Sequence, residues 1–227
     1  MKKSFCVLLV FLFLLSGCAA LAEEAPANRL LFQGHASLRI TTAEGKVIYI
    51  DPYAGDGYDV PADLILVTHR HDDHNNVSKI KTQNEGCEFI NNSKALVKGE
   101  YKTFDLGFVT VEAVQAGNRN HDIKYCVGWL LTLPGDITVY VSGDTSTTDQ
   151  MAELADRHID YAFFCCDGIY NMDIEEAIAC AKLVGARHSI PYHNDPGPGL
   201  DMERAERFDV PGKLVIQPGE EIILAKE

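Results

Sequence analysis

From residue 29 onward the apolar positions fall into short runs, and the breaks between runs are glycines, prolines and small polar clusters. LLFQ, SLRIT and KVIYI, split by Gly34 and Gly45, have the length and β-branched content of strands meeting at tight turns. ADLILVT, YKTFDL, FVTVEAV, CVGWLLTL, ITVYVS and DYAFFC extend the series. Three stretches carry helical spacing instead: TTDQMAELADRH, MDIEEAIACAKLVG and LDMERAERF, with Thr147 or Thr148, Asp173 and Asp201 placed to cap their N-termini. NNVSKIKTQNEG and NDPGPGLDM read as loops. No repeat of fixed period and no low-complexity segment interrupts the pattern. Strands dominate first and then alternate with helices. That order suggests two sheets packed face to face with helices outside, and periodicity alone leaves an ordinary three-layer α/β fold open.

The start of the chain obeys a different pattern. MKKSF is short and basic, CVLLVFLFLL is apolar, and LSGC closes the run with small residues. The run is too short for a transmembrane helix, which needs about 20 apolar residues. Through Leu15, Ser16, Gly17 and Cys18 it resembles the lipobox of a bacterial lipoprotein signal. The resemblance implies removal of residues 1–17, acylation of Cys18, a tether over residues 18–28 and one domain over residues 29–227. It places the mature protein outside the cytoplasm of a bacterium, anchored to a membrane.

With 46% hydrophobic residues the remaining chain can build one substantial core, so no second domain is needed. A formal net charge of -13 repels a phosphate backbone and argues against nucleic acid as a partner. Cys6 leaves with the signal and Cys18 takes lipid. Cys87, Cys126, Cys165, Cys166 and Cys180 are odd in number and lack a C-x-x-C spacing, so they read as buried thiols and not as a disulfide or zinc framework.

The chemistry concentrates where the run DLILVT ends. VTHRHDDHNN places three of the chain's eight histidines within six positions. In an extended turn His69 and His71, two residues apart, present their rings to the same side, while Asp73 and His74 follow as the chain curls. Imidazole and carboxylate donors suit zinc and its neighbours, and the all-N,O set admits Mn²⁺ or Fe²⁺ as well.

THRHDDH, with GHASL (34–38), IDPY (50–53), GNRNH (117–121), SGDT (142–145) and IPYHN (190–194) in that order, resembles the metallo-β-lactamase superfamily. GHAS, DGIYNMDIEEA and IPYH look most like the branch that includes L-ascorbate-6-phosphate lactonase and the N-acyl-phosphatidylethanolamine phospholipase D type. The resemblance implies a four-layer αββα sandwich and two divalent cations, zinc first among the candidates. His69, His71 and His121 would hold one cation, and Asp73, His74 and His193 the other. Asp144 would bridge them, a position where some β-lactamases carry Cys or Ser. Asp51 would either support a ligand imidazole or cap the turn at the following proline, and His35 would either support the site or brace the first hairpin. His158 and His188 fall outside the motifs.

Two such cations lower the pKa of a shared water from about 15.7 toward neutrality, so a metal-bridging hydroxide becomes the nucleophile, with Asp73 orienting it or taking its proton. The expected reaction is hydrolysis of an ester, lactone or phosphodiester in a small-molecule or lipid substrate. Tyr53, Asn118, Tyr170, Tyr192 and Asn194 are candidates for shaping the pocket mouth, although a structural role is the better reading for each. Two other classes use the same residues: an iron-dependent redox enzyme, and a metal-holding surface protein without turnover.

Overall fold

The computed structural model describes residues 26–226. The signal segment, Cys18 and the tether as far as residue 25 lie outside the described residues. Chain order within the domain begins with β1 (Asn28–Gly34), β2 (Ser37–Thr41), β3 (Val47–Ile50), β4 (Ala62–Val67) and β5 (Gln83–Asn91). A short helix α1 (Asn92–Ala95) and a small ribbon of β6 (Leu96–Val97) and β7 (Glu100–Tyr101) follow. Next come β8 (Thr103–Asp105), β9 (Thr110–Gln115), β10 (Val127–Leu133) and β11 (Ile137–Val141). The last third alternates α2 (Met151–Leu154), β12 (Tyr161–Cys165), α3 (Ile174–Val184), β13 (His188–Tyr192), α4 (Met202–Arg207) and β14 (Glu221–Leu224).

The strands form two six-stranded sheets, ordered β14-β1-β2-β3-β4-β5 and β13-β12-β11-β10-β9-β8. Leu30, Ile40, Ile48 and Leu64 lie side by side across the first sheet, as do Phe32, Leu38, Ile50 and Leu66. These residues share one core with Val111, Ala113, Trp129, Leu131, Val139 and Val141 of the second sheet, and the core continues to Ala177, Cys180, Ala181 and Val184 of α3. The alternate residues of the first sheet, Tyr49 and Ile65, pack outward with Tyr58, Val60, Val77 and Ile80. The αββα order therefore holds, with the layer outside the first sheet reduced to a loop and one 3₁₀ turn at Val77–Lys79.

Several local expectations are corrected. Asp173 and Asp201 do cap their helices, accepting from the Glu176 and Arg204 amides at 2.8 and 3.0 Å. Neither Thr147 nor Thr148 caps α2, whose N-cap position is Gln150. Thr147 instead donates its amide and hydroxyl to the Glu176 carboxylate of α3, so the expected helix over 147–158 shrinks to one turn of α-helix and a 3₁₀ turn. YKTFDL breaks at Lys102 into two strands belonging to different sheets. β5 begins inside a stretch expected to be loop, because parallel pairing with β4 supplies the order that its polar sequence does not advertise. β1 starts at Asn28, one residue inside the expected tether, where its side chain donates to Pro134 O (2.9 Å) and accepts from the Ala43 amide (2.9 Å).

The topology gathers the polar motifs at one edge. β3 and β4 are parallel, and β1 runs the same way because two antiparallel pairings separate it from β3. β11, β12 and β13 are likewise parallel to one another, and β9 shares their direction through two antiparallel pairings with β10. Every segment that carries a motif leaves the C-terminal end of one of these strands.

Candidate metal centre

His35 follows β1, Asp51 follows β3, Thr68 to His74 follow β4, His121 follows β9, Asp144 follows β11 and His193 follows β13. Three of these residues, His35 (φ 52°), Asp51 (φ 46°) and His193 (φ 41°), occupy left-handed backbone, which disfavours residues with a Cβ. Gly34 makes the entry to His35 possible: at φ 114° a Cβ there would stand 2.7 Å from Pro198 O.

The ligand candidates form two groups around one carboxylate. Donor atoms of His69, His71 and His121 lie within 4.8 Å of one another, as do those of His35, Asp73, His74 and His193. Asp144 stands between the groups with its oxygens divided. Its Oδ1 is 3.3 Å from His74 Nε2 and 3.5 Å from His193 Nε2, whereas Oδ2 is 3.2 Å from His121 Nε2 and 3.9 Å from His69 Nε2. All seven residues expected to bind metal thus converge, although they span 125 positions of sequence. His35, left open between the site and the hairpin, belongs to the site: its Nε2 is 3.3 Å from Asp73 Oδ2, and its ring lies 3.7 Å from that of His193.

Electrostatics divides the imidazoles. Burial, reinforced by His74, pushes the pKa of His69 down to about 2, so its ring stays neutral with a lone pair to offer. Burial also lowers that of His121. For His74 burial opposes the charge, but Asp144 and Asp51 outweigh it and raise its pKa well above the ordinary value. Burial likewise works against an ionised Asp144, and the His193 and His74 rings overcome it, leaving the group well below the usual carboxylate range. Asp73 is also held low, with the His35 hydrogen bond and the His74 charge prevailing over desolvation.

The residues present fit divalent cations. His74 Nε2, Asp144 Oδ1 and both ring nitrogens of His193 are buried and without hydrogen-bond partners, in a protein interior where such atoms are normally satisfied. Imidazole nitrogens and carboxylate oxygens are the donors that zinc, manganese and iron(II) accept.

Supporting residues orient the donors from behind. Asp51 Oδ2 lies 2.8 Å from His74 Nδ1, and the same carboxylate accepts from the Thr68 amide (2.7 Å) and hydroxyl (2.6 Å). A longer chain of contacts serves His121. Asn171 Nδ2 donates to Asp167 Oδ2 (2.7 Å), Asn118 Nδ2 donates to Asn171 Oδ1 (3.0 Å), and Asn118 Oδ1 is 3.0 Å from His121 Nδ1. A carboxylate only accepts hydrogen bonds, so Asp167 fixes which way the Asn171 amide faces; Asn118 Oδ1, which also accepts from the Asn120 and His121 amides (2.8 and 3.0 Å), then presents an acceptor to His121 Nδ1 and sets where that ring carries its proton. Nε2 is then left to face Asp144. The sequence reading gave no role to Thr68, Asp167 or Asn171, although THRHDDH begins with the first and DGIYNMDIEEA contains the other two.

Other expectations for the mouth fare unevenly. Tyr170, 55% exposed, does line the opening together with His71, Asp73 and Asn120. Tyr53 stands beside His35 with ring centroids 5.4 Å apart. Asn118 acts behind His121, as described. Tyr192 has the structural role: it is fully buried, and its hydroxyl accepts from the Gly143 amide at 3.0 Å. Asn194 is structural too, since its buried amide fastens Asp201 through two 2.8 Å bonds. His158 and His188 lie apart from the site, the latter stacked on Tyr161. The five described cysteines are free thiols, four of them buried, with Cys87 half-buried.

Comparison with known proteins agrees with this geometry. Residues 29–193 match the model of the β-lactamase superfamily domain. A UPF0173 metal-dependent hydrolase of Geobacillus thermodenitrificans is 30% identical over 233 residues, covering 86% of this chain and 100% of the relative. A counterpart in Thermococcus kodakarensis is 28% identical over 227 residues, covering 86% and 99%. Among solved structures, a candidate metal-dependent hydrolase from Parabacteroides distasonis superposes with a TM-score of 0.70 at 28% identity, over 85% of this chain and 94% of that one. A metallo hydrolase from Ignicoccus hospitalis gives 0.69 at 20% identity, over 88% and 100%.

Proposed function

Because this chain belongs to the β-lactamase superfamily, among its UPF0173 metal-dependent hydrolases, we propose that its two donor clusters hold two divalent cations and cleave an ester, lactone or phosphodiester. The observation that supports the dinuclear reading is the divided carboxylate of Asp144, with each oxygen turned toward imidazoles of a different cluster. His69, His71 and His121 would hold one ion, zinc being the leading candidate, and Asp73, His74 and His193 the other. When bound, such a pair polarises the scissile group and makes a water molecule acidic enough to react near neutral pH.

The chain's own residues do the rest. Asp73 is the most open carboxylate of the set, with a side chain 41% exposed, and its Oδ2 is steadied by His35. It is therefore placed to align the attacking water and to receive its proton at a carboxylate oxygen. Asp51 holds His74 in the orientation that turns Nε2 toward Asp144. Tyr170 narrows the approach.

The same reading includes acylation of Cys18, which would retain the domain at the outer face of a bacterial membrane and present it to small-molecule or lipid substrates. Metal analysis of the purified domain, followed by assays on generic esters, lactones and phosphodiesters, tests the whole. Two equivalents of metal and hydrolysis that disappears in His71→Ala and Asp73→Ala, with folding intact, are expected. Unchanged rates in either variant would overturn the mechanism, and an iron-loaded protein that consumes oxygen instead would replace it. Loss of membrane retention in Cys18→Ala tests the anchor.

A further inference from the structure

Beside the His69–His71–His121 cluster opens a cavity of about 300 Å³, whose other walls include Arg70, Ser93, Tyr125 and Cys126. Arg70 differs from several other cations of this acidic chain, which face a carboxylate. Arg39 faces Glu221, Arg157 faces Glu112, Arg207 faces Glu175 and Lys46 faces Asp63. Among the described residues no carboxylate lies within 4.0 Å of Arg70, and the hydrogen bond it makes runs from Nη2 to Ser93 Oγ at 2.7 Å. That bond directs the guanidinium while leaving its other N–H groups for a ligand. Across the cavity Tyr125 offers a ring 66% exposed, on a segment fixed by the Asn92 side chain, which donates to Tyr125 O at 2.7 Å.

We propose that this cavity is a substrate subsite in which Arg70 receives a carboxylate carried by the substrate, while the apolar spacer between that carboxylate and the scissile group packs on Tyr125. The proposal rests on the hydrolase reading and adds a substrate class to it: small acid monoesters or lactones bearing a second, free carboxylate. The fork of a guanidinium matches a carboxylate in shape and charge. On a protein of net charge -13 an anion is repelled at long range, so a local unpaired cation is what admits it. A single positive group suits a single negative one. Asp122, also on the cavity wall, counts against a doubly charged phosphate.

Glutarate and butyrate have similar chain length and differ by the second carboxylate, which makes them a matched pair. Calorimetry on the metal-loaded protein should show glutarate binding at least about tenfold more tightly than butyrate, the increment expected of one charge-assisted pair. Arg70→Ala should reduce that ratio to about twofold or less at unchanged metal content, and Arg70→Lys should restore part of it. A ratio that survives Arg70→Ala, or no preference in the unaltered protein, would overturn the subsite. A preference for 3-phosphonopropionate over glutarate that depends on Arg70 would overturn the carboxylate assignment. Because the ratio is read without turnover, a failure of the subsite and a failure of the hydrolase reading remain distinct results.

Discussion

Asp51 ties the floor of the site together, since its one carboxylate serves the Thr68 amide, the Thr68 hydroxyl and His74 Nδ1. Asp51→Asn keeps the size and removes the charge, so His74 loses the partner that orients it. Metal affinity should fall about 10–100-fold, as for other carboxylates behind ligand imidazoles, while the far-ultraviolet spectrum is retained; chelator competition measures it. An unchanged affinity would reduce Asp51 to a turn residue. The amide relay makes a different demand. Asn118→Leu should remove the acceptor that faces His121 Nδ1, and long-range ¹H–¹⁵N spectra of the imidazoles should then show His121 losing its single Nδ1-protonated form. Retention of one tautomer would assign its control elsewhere. The ligands themselves were legible because metal chemistry restricts residue types so severely that H-x-H-x-D-H stands out. Asp167 and Asn171 were not, because an Asp or Asn that orients a neighbour leaves no spacing rule behind.

At the scale of elements, strands buried on both faces declared themselves and those formed by partnership did not. ADLILV and VGWLLTL are apolar runs whose burial repays their own sequence. β5 is mostly polar or exposed and β14 is four residues long and half exposed, and each lies at an edge of the first sheet, so a neighbour's hydrogen bonds make the strand. Thr147 misled for a related reason: a hydroxyl suited to capping was taken up by Glu176 of α3. Asp63 ties β3 to β4, accepting from the Val47 amide (2.9 Å) and Lys46 Nζ (3.0 Å). Burial would raise its pKa, yet these donors bring it below the reference of 3.8. A depressed carboxylate stabilises the fold above its unfolded pKa, and that contribution is lost as pH falls through the folded value. Asp63→Asn should therefore lower stability at neutral pH and flatten the acid side of the stability curve as pH falls through and below the reference of 3.8, as followed by urea denaturation. Parallel curves for the two proteins would contradict the assignment.

For the molecule as a whole, donors come from both sheets: Asp73, His74 and their neighbours from the first, His121, Asp144 and His193 from the second. Bound cations would therefore cross-link the open edge of the sandwich. Removing them should lower the melting temperature in a metal-dependent way, by the equivalent of about 2.7 kcal/mol from a site held at a hundred times its Kd. Hydrogen exchange should accelerate first in residues 68–74 and 117–121, and equal melting with and without chelator would refute the cross-link.

The direction of β1 has one more consequence. The strand enters at Asn28 and delivers Gly34 and His35 to the reactive rim, so its first residue lies on the far edge, hydrogen-bonded in register with Leu224 near the end of the chain. An acyl chain on Cys18 would thus moor the domain by its back. The reactive rim would then lie on the side away from the point of attachment, open to the surrounding fluid.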